Sequence, residues 1–528
     1  MSQQHTAIHP NRPAEAPSTG FDSPADYPLP AGHLPSATAA TVRVAAPSRL
    51  LEALKWAVSF PAMLAVCLVG RVFYEGRNFF VDPDLWWHVK VGDDILRTRH
   101  FPTTDSYSWT VAGNPWIAYE WLGEIALALV NRAGGVVALS AFLIIMSSVI
   151  MLAIYGLASM RAKNSKAGFV SALILCSLAF GSFTGRPQMF GYLFIVLTLL
   201  AMEKFRHGVT WPLWTLPLIF LAWVNIHGSF IIGIGIVVLN LLAGLFTFSK
   251  ESVEAVAWTR QQRIKLETCL LLCLAVLPIT PYGTQLAVYP FDMAFSQPIN
   301  VASVNEWRPM PFELVGGKIF LGLIIILVLL QLFFRFKWRL EEILLAIGGA
   351  AMACLHVRFV LLFVPFFTPV FAVMLARWVP GYKKSIDKFA INAVLMAAAV
   401  AAMIYYRPTQ KSLNEIVSKT FPVGALQFLA DHPQPGKLLN SYGFGGYLVK
   451  AGVPTFIDGR GDLFERGGIF GDYVQLGQFK PGAFSVLRRY DISVCMLERD
   501  EPLSVALFES PQWRRIYADK ASAIFVRR

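Results

Sequence analysis

Hydrophobic and polar positions alternate along this chain in long blocks rather than residue by residue. Apolar runs at 51–73, 134–160, 167–184, 189–202, 211–224, 230–248, 266–279, 319–334, 341–355, 359–375 and 389–406 are separated by polar turns, many of them short. A helix rising 1.5 Å per residue needs about 20 apolar residues to cross roughly 30 Å of hydrocarbon. The pattern predicts a mainly α, polytopic transmembrane helical bundle of about 11 spans.

Three segments depart from that rhythm. Residues 1–48 are rich in Pro, Ala, Ser and Thr and have no apolar periodicity, as expected of a disordered cytoplasmic tail. Within a transmembrane domain at 49–407, residues 74–133 make a large first outer loop, with a short interfacial helix expected at 119–131. Residues 408–528 read as an extracytoplasmic soluble α/β domain, with a helix at 421–430 and strands at 437–441, 455–457, 491–497 and 522–526.

With 55% hydrophobic and 15% charged residues and a mean hydropathy of +0.51, the chain is excluded from the ordinary soluble class. Its net charge of +12 raises nucleic acid as a partner. Yet the cations sit in short clusters between apolar runs, such as Arg161, Lys163 and Lys166, or Arg335, Lys337 and Arg339. That is how membrane proteins set orientation, and no basic stripe with interleaved aromatics points to nucleic acid. The clusters place the N-terminus in the cytoplasm and the last segment outside. The six cysteines suggest neither a disulfide framework nor a metal pairing.

Candidate chemistry gathers in the loops on the other side. In Asp82-Pro83-Asp84-Leu85-Trp86-Trp87-His88, Pro83 can open a helix that carries Asp84 and His88 at i and i+4 on one face. A carboxylate and an imidazole so placed can share a metal ion or a proton. Trp86 and Trp87 suit either a membrane interface or a platform for a sugar ring or apolar tail. Asp82 can alternatively cap the helix, and His88 can bond a loop carbonyl. Glu120, Arg186, His227, Glu306 and Arg358 fall in outer turns close to helix ends. Ionisable groups at that depth face a cavity or one another. Arg186 and Arg358 can equally bind lipid headgroups or pair with Glu306 or Asp105, and His227 beside Gly228 can simply end a span. The glycine cluster at 442–447 fits a tight turn or close approach to a ligand. The run Ile457-Asp458-Gly459-Arg460-Gly461-Asp462 fits either a site or an ion pair.

Together, Asp82-Pro83-Asp84 with Trp86-Trp87-His88, Arg186-Pro187, Asn225-Ile226-His227-Gly228, Glu306-Trp307, Gly445-Gly446-Tyr447 and Asp458-Gly459-Arg460 resemble a family of bacterial polytopic membrane proteins. That family is similar in layout to the GT-C glycosyltransferases, and the resemblance covers about residues 51–528. It implies a sugar donor linked to a polyprenyl phosphate, used on the outer face of the bacterial inner membrane, with a glycan, lipid or protein acceptor. It also implies an acidic residue in the first outer loop acting as base or metal ligand, a role that falls to Asp84 with Asp82 beside it. The pair here is Asp-Pro-Asp rather than two adjacent acids, and the C-terminal segment carries no clear acceptor-binding signature.

On that reading Arg186 and Arg358 clamp the departing phosphate, because guanidinium forks match phosphate oxygens. Trp86, Trp87, His88, Glu120, His227 and Glu306 contact substrate. Asp82 and Asp84 with His88 or Glu120 would hold Mg²⁺ or Mn²⁺ if a metal takes part. Three other classes compete. A transporter or flippase would show polar or broken helices near the bilayer midplane. A redox protein would want His88, His227 and His356 within spans. A non-catalytic assembly protein would use the outer segment to bind a partner.

Overall fold

The structure, a computed structural model, describes residues 49–76 and 81–528. The tail expected at 1–48 lies outside the described residues. Every apolar run of the sequence carries helix: α1 (Arg49–Ala57), α2 (Phe60–Glu75), α3 (Asp84–Thr98), α4 (Trp121–Ala162), α5 (Ser165–Ser177), α6 (Gln188–Arg206), α7 (Trp211–Val224) and α8 (Phe230–Ala243). The order continues with α9 (Arg260–Ala275), α10 (Gln285–Phe295), α11 (Pro298–Ser303), α12 (Val315–Phe334), α13 (Leu340–Leu355), α14 (Val360–Leu375) and α15 (Phe389–Tyr405). Small strands β1 (Phe248–Ser249), β2 (Val253–Ala255) and β3 (Trp338–Arg339) tie two of the turns together.

By length and apolarity, four helical segments among the described residues can cross a membrane: Trp121–Ala162, Gln188–Arg206, Val315–Phe334 and Val357–Leu375. The number rises to six if each of two bent helix pairs is one span, and three apolar helices are shorter. The long α4 is two pieces. Gly134 and Gly135 leave helical geometry, Gly135 at φ 57, so the helix expected at 119–131 joins the span at 134–160 through a break that only glycine makes cheaply.

Helix direction sorts the chemistry. The N-terminal ends of α4 and α6 and the C-terminal end of α13 carry Glu120, Arg186 and His356, whereas the opposite ends carry a lattice of ion pairs. There Arg161 pairs with Glu342, Arg206 with Glu341 at 2.5 Å and Arg339 with Glu203 at 2.5 Å. Part of the basic character of these turns is thus spent on neighbouring acids, not left open. With 19 residues in α6, the two ends lie about 28 Å apart along its axis.

The C-terminal segment continues with α16 (Gln410–Thr420), α17 (Val423–Asp431), β4 (Lys437–Asn440), α18 (Tyr442–Ala451), α19 (Gly461–Arg466), α20 (Ile469–Gly477), α21 (Ala483–Arg489), β5 (Ile492–Glu498), α22 (Pro502–Glu509), β6 (Trp513–Ala518) and β7 (Ser522–Arg527). The sheet order is β4-β5-β7-β6, with β4 parallel to β5 and the other pairs antiparallel. Strand alternation sends Val494, Met496, Ile524 and Val526 to one face, against Phe444 and Leu448 of α18. Cys495, Leu497, Ala523 and Phe525 go to the other. A sheet covered on both faces reads as an unbroken apolar run, which is why β5 and β7 are legible in the sequence. The strand expected at 455–457 is instead a single bridge from Thr455 to Ser108. The unexpected β6 is an edge strand whose Arg514 and Arg515 are exposed.

The packing that positions the site joins the first polar loop to this segment. Trp87, Val91 and Ile95 of α3, with Val111 and Trp116 of the loop, share one core with Leu439, Phe456, Leu463 and Phe525. Trp109 N–H donates to Thr455 O at 3.0 Å and Thr455 N–H to Tyr107 O at 3.1 Å. Arg460, 0% exposed, donates to Asp105 at 2.6 Å and, through two nitrogens, to Asp458 at 2.7 and 2.8 Å. The ion-pair reading of the 457–462 run therefore holds for Arg460 and Asp458. The 442–447 cluster opens α18, and a Cβ at Gly446 would run into the Pro83 carbonyl, one at Gly445 into Asp458. These glycines serve close helix packing.

Candidate functional site

Helix α3 starts as the sequence requires. Pro83 sits at the N-cap position, and Asp82 Oδ1 accepts the Asp84 backbone N–H at 2.9 Å. This satisfies one of the donors left free at a helix start. Asp82 Oδ2 accepts Arg186 Nε at 2.7 Å, so one carboxylate both caps the helix and holds a guanidinium. Arg186 also lies 3.2 Å from Asp84 Oδ2 and 3.0 Å from Glu306 Oε1.

Around this knot lies a cavity of about 540 Å³. Asp84, Trp87, His88, Glu120, Arg186 and His227 line it, as do Glu306 and Arg358. Two residues expected at the site are absent from the lining. Asp82 stands behind Arg186. Trp86 is fully buried elsewhere, edge-on to Phe421 and Tyr447 at 5.6 and 5.3 Å, with Lys450 Nζ 4.0 Å above its ring. Successive helical residues point about 100° apart, so a helix that turns Trp87 to the cavity must turn Trp86 away. Trp86 thus serves as core, and Trp87, 2% exposed, is a wall of the cavity.

His88 does not face Asp84. Its ring lies 3.6 Å from that of Trp87, with Nδ1 3.3 Å from Glu124 Oε1 and Nε2 3.5 Å from Glu120 Oε2. The other Glu120 oxygen is 3.5 Å from His227 Nε2, and His227 Nδ1 is 2.8 Å from Ser229 Oγ. Burial holds the His88 imidazole well below its usual range and takes His227 down to about 3. It pushes Glu120 up to about 8, the arginines opposing. At neutral pH this wall is a protonated carboxyl between two neutral imidazoles. Asp84 is pushed up to about 7, chiefly by burial, with Arg186 opposing and Asp82 and Glu306 reinforcing. Its charge therefore changes near neutral pH, as a general base requires.

The metal set Asp82, Asp84 and His88 does not fit this geometry. Both carboxylates turn to Arg186 while His88 turns to Glu120 and Glu124. Among the described residues no three His, Cys, Asp or Glu side chains are arranged to hold a metal ion. Arg358 has a different setting from Arg186. Its guanidinium lies 4.2 Å from the Trp307 ring centre, and among the described residues it has no ion pair. The carbonyl of Trp307 accepts a hydrogen bond from His356 Nδ1, which steadies the ring.

The C-terminal segment closes the cavity with Tyr442, Gly459, Gly461 and Asp462, and α10 adds Tyr289. The 457–462 run and the 442–447 cluster flagged all of these in the sequence except Tyr289. A Cβ at Gly459 would strike Asp84 Oδ1. Gly459→Ala is therefore expected to displace that carboxylate and, since a misplacement of about 1 Å costs on the order of 10²-fold, to cut turnover with the fold retained. Unchanged turnover in the folded variant would show that Asp84 need not sit where it does.

No family model matches the chain, and no curated protein sequence does. Among solved structures, the chain is similar to ArnT from Cupriavidus metallidurans in the apo state, at 13% identity and TM-score 0.49, over 90% of this chain and 98% of that one. The same protein bound to undecaprenyl phosphate gives 13% and 0.48, over 88% and 97%. The Archaeoglobus fulgidus oligosaccharyltransferase AglB, in complex with an inhibitory peptide and a dolichol-phosphate, gives 11% and 0.46, over 85% and 70%. At these values the likeness assigns neither activity nor substrate.

Proposed function

We propose that the chain is a membrane glycosyltransferase that moves a sugar from a polyprenyl-phosphate donor to a glycan, lipid or protein acceptor. The cavity end of the bundle faces away from the cytoplasm, as the basic turns at the other end indicate. One observation carries the reading. A guanidinium without an ion pair among the described residues, Arg358, shares a cavity with a carboxyl poised near neutrality, Asp84, while Ile231, Ile232, Met293, Val301, Met352 and Phe359 make much of the wall apolar. An amphiphile with a phosphate head and a hydrocarbon tail matches both halves.

The transfer needs few parts. The acceptor hydroxyl gives its proton to Asp84 as its oxygen bonds to the anomeric carbon of the sugar. The bond from that carbon to the phosphate oxygen breaks, and the polyprenyl phosphate leaves with the electron pair. Arg358 stabilises the charge that grows on the leaving oxygen. Arg186, already held by Asp82 and Glu306, keeps Asp84 oriented and favours its ionised form. The neutral wall of Glu120, His88 and His227 adds polar contacts without adding charge.

Incubating purified protein with labelled polyprenyl-phosphate sugars tests this, with transfer or hydrolysis as the readout. Release of polyprenyl phosphate by folded protein is expected. Failure across a broad panel would favour a binding or assembly role. Arg358→Gln removes a charge-assisted contact of about 1.5–3 kcal/mol, so donor binding should weaken roughly 10- to 150-fold. Unchanged donor affinity would remove Arg358 from the phosphate end.

A further inference from the structure

The cavity is lined by further polar groups that the transfer chemistry above does not use. Asp462 lines it from α19 and is 3% exposed. Its Oδ2 lies 3.7 Å from Arg466, whose guanidinium is already taken by Asp292 at 2.5 Å. Among the described residues its Oδ1 has no hydrogen-bond partner. Tyr289 lines the same cavity from α10 and is 9% exposed, and its hydroxyl has the Tyr119 hydroxyl as its hydrogen-bond neighbour. The Tyr289 ring stacks on Tyr119, with centres 4.0 Å apart and planes at 19°.

Buried polar atoms are nearly always bonded, and leaving one bare is costly. Here a carboxylate oxygen without a partner among the described residues and a phenol hydroxyl beside that of Tyr119 border the same space, next to a stacked aromatic pair. A carboxylate accepts from hydroxyls, a phenol both donates and accepts, and aromatic faces suit the apolar face of a sugar ring. Resting on the glycosyl-transfer reading, we propose that Asp462 and Tyr289, beside Tyr119, form a subsite that reads the hydroxyl groups of a carbohydrate ring and is distinct from the phosphate contact at Arg358. Burial pushes Asp462 up to about 6, so at pH 7 it is mostly ionised and accepts hydrogen bonds.

The ring belongs to the donor or to the acceptor, and binding measurements separate the two. Full-length protein is titrated with undecaprenyl phosphate, with undecaprenyl-phosphate-linked glucose and mannose, and with methyl glucoside added to protein loaded with undecaprenyl phosphate. If the donor sugar fills the subsite, a linked sugar binds ten-fold or more tighter than the bare lipid. Asp462→Asn then removes most of that gain and Tyr289→Phe removes several-fold, while bare-lipid affinity stays put. If the acceptor fills it, bare and linked lipids bind alike, and methyl glucoside binding becomes the quantity that both variants weaken. The subsite is overturned if neither substitution changes any sugar-dependent binding, or if both weaken bare lipid as much as linked lipid. Loss of all lipid binding by wild-type protein would sink the donor reading instead, and the methyl glucoside titration, run then without lipid, would still judge the subsite.

Discussion

Asp84→Asn should lower sugar transfer by about 10²–10⁴-fold, the usual worth of a general base, while the protein still inserts, folds and binds polyprenyl phosphate. The amide keeps the shape of the carboxylate but cannot take the acceptor's proton. Arg186 keeps its contacts to Asp82 and Glu306, so the local scaffold survives. The pH dependence supplies a sign. Burial pushes Asp84 up to about 7, and a base works only when ionised. The wild-type rate should therefore rise with pH through the neutral range and level off above it. A variant within a few-fold of wild type, or a rate that falls as pH rises through 7, would take the base role from Asp84.

Arg460→Met should be the most destabilising single substitution in the region that carries the site. Arg460, Asp105 and Asp458 are all buried, the arginine and Asp458 at 0% exposure. Removing the cation leaves two carboxylates buried without it, and breaking a buried pair costs roughly 3–5 kcal/mol. The loss falls on the joint between the first polar loop and the C-terminal segment. Thermal unfolding and protease susceptibility of that joint should both show it. Arg460→Lys, which keeps the charge but loses the fork that grips Asp458 through two nitrogens, should fall between. A Met variant as stable as wild type would mean that apolar packing alone joins the two parts.

Legibility in the sequence followed physical range. Helical segments came through because an apolar run is a local signal, though four of them among the described residues, or six with each bent pair as one, reach membrane length against about 11 expected. The strands buried on both faces came through for the same reason. The convergence of Asp84, Arg186, His227, Glu306 and Arg358 was expected because alternating turns place them on one side. What escaped depends on contacts between distant parts of the chain. Nothing in the periodicity of 408–528 says that Gly459 abuts Asp84, or that Asp462 and Tyr289 border one space. Nor does loop sequence say which of two adjacent indoles a helix turns inward. The metal set failed for a related reason: spacing put Asp84 and His88 on one helix, but Arg186, from another turn, claimed the carboxylates. Arg186 itself, expected as a phosphate clamp, is engaged by three acids, and that leaves Arg358 as the cation free of ion pairs among the described residues of the cavity.

The position of the phosphate in a complex with undecaprenyl phosphate tests the central claim most directly. Density for the phosphate is expected within about 3 Å of the Arg358 guanidinium, the distance of a charge-assisted hydrogen bond, with the lipid tail along Ile231, Ile232 and Phe359. A phosphate bound at the opposite helix ends, beside Arg161, Arg206 and Arg339, with this cavity empty, would contradict it.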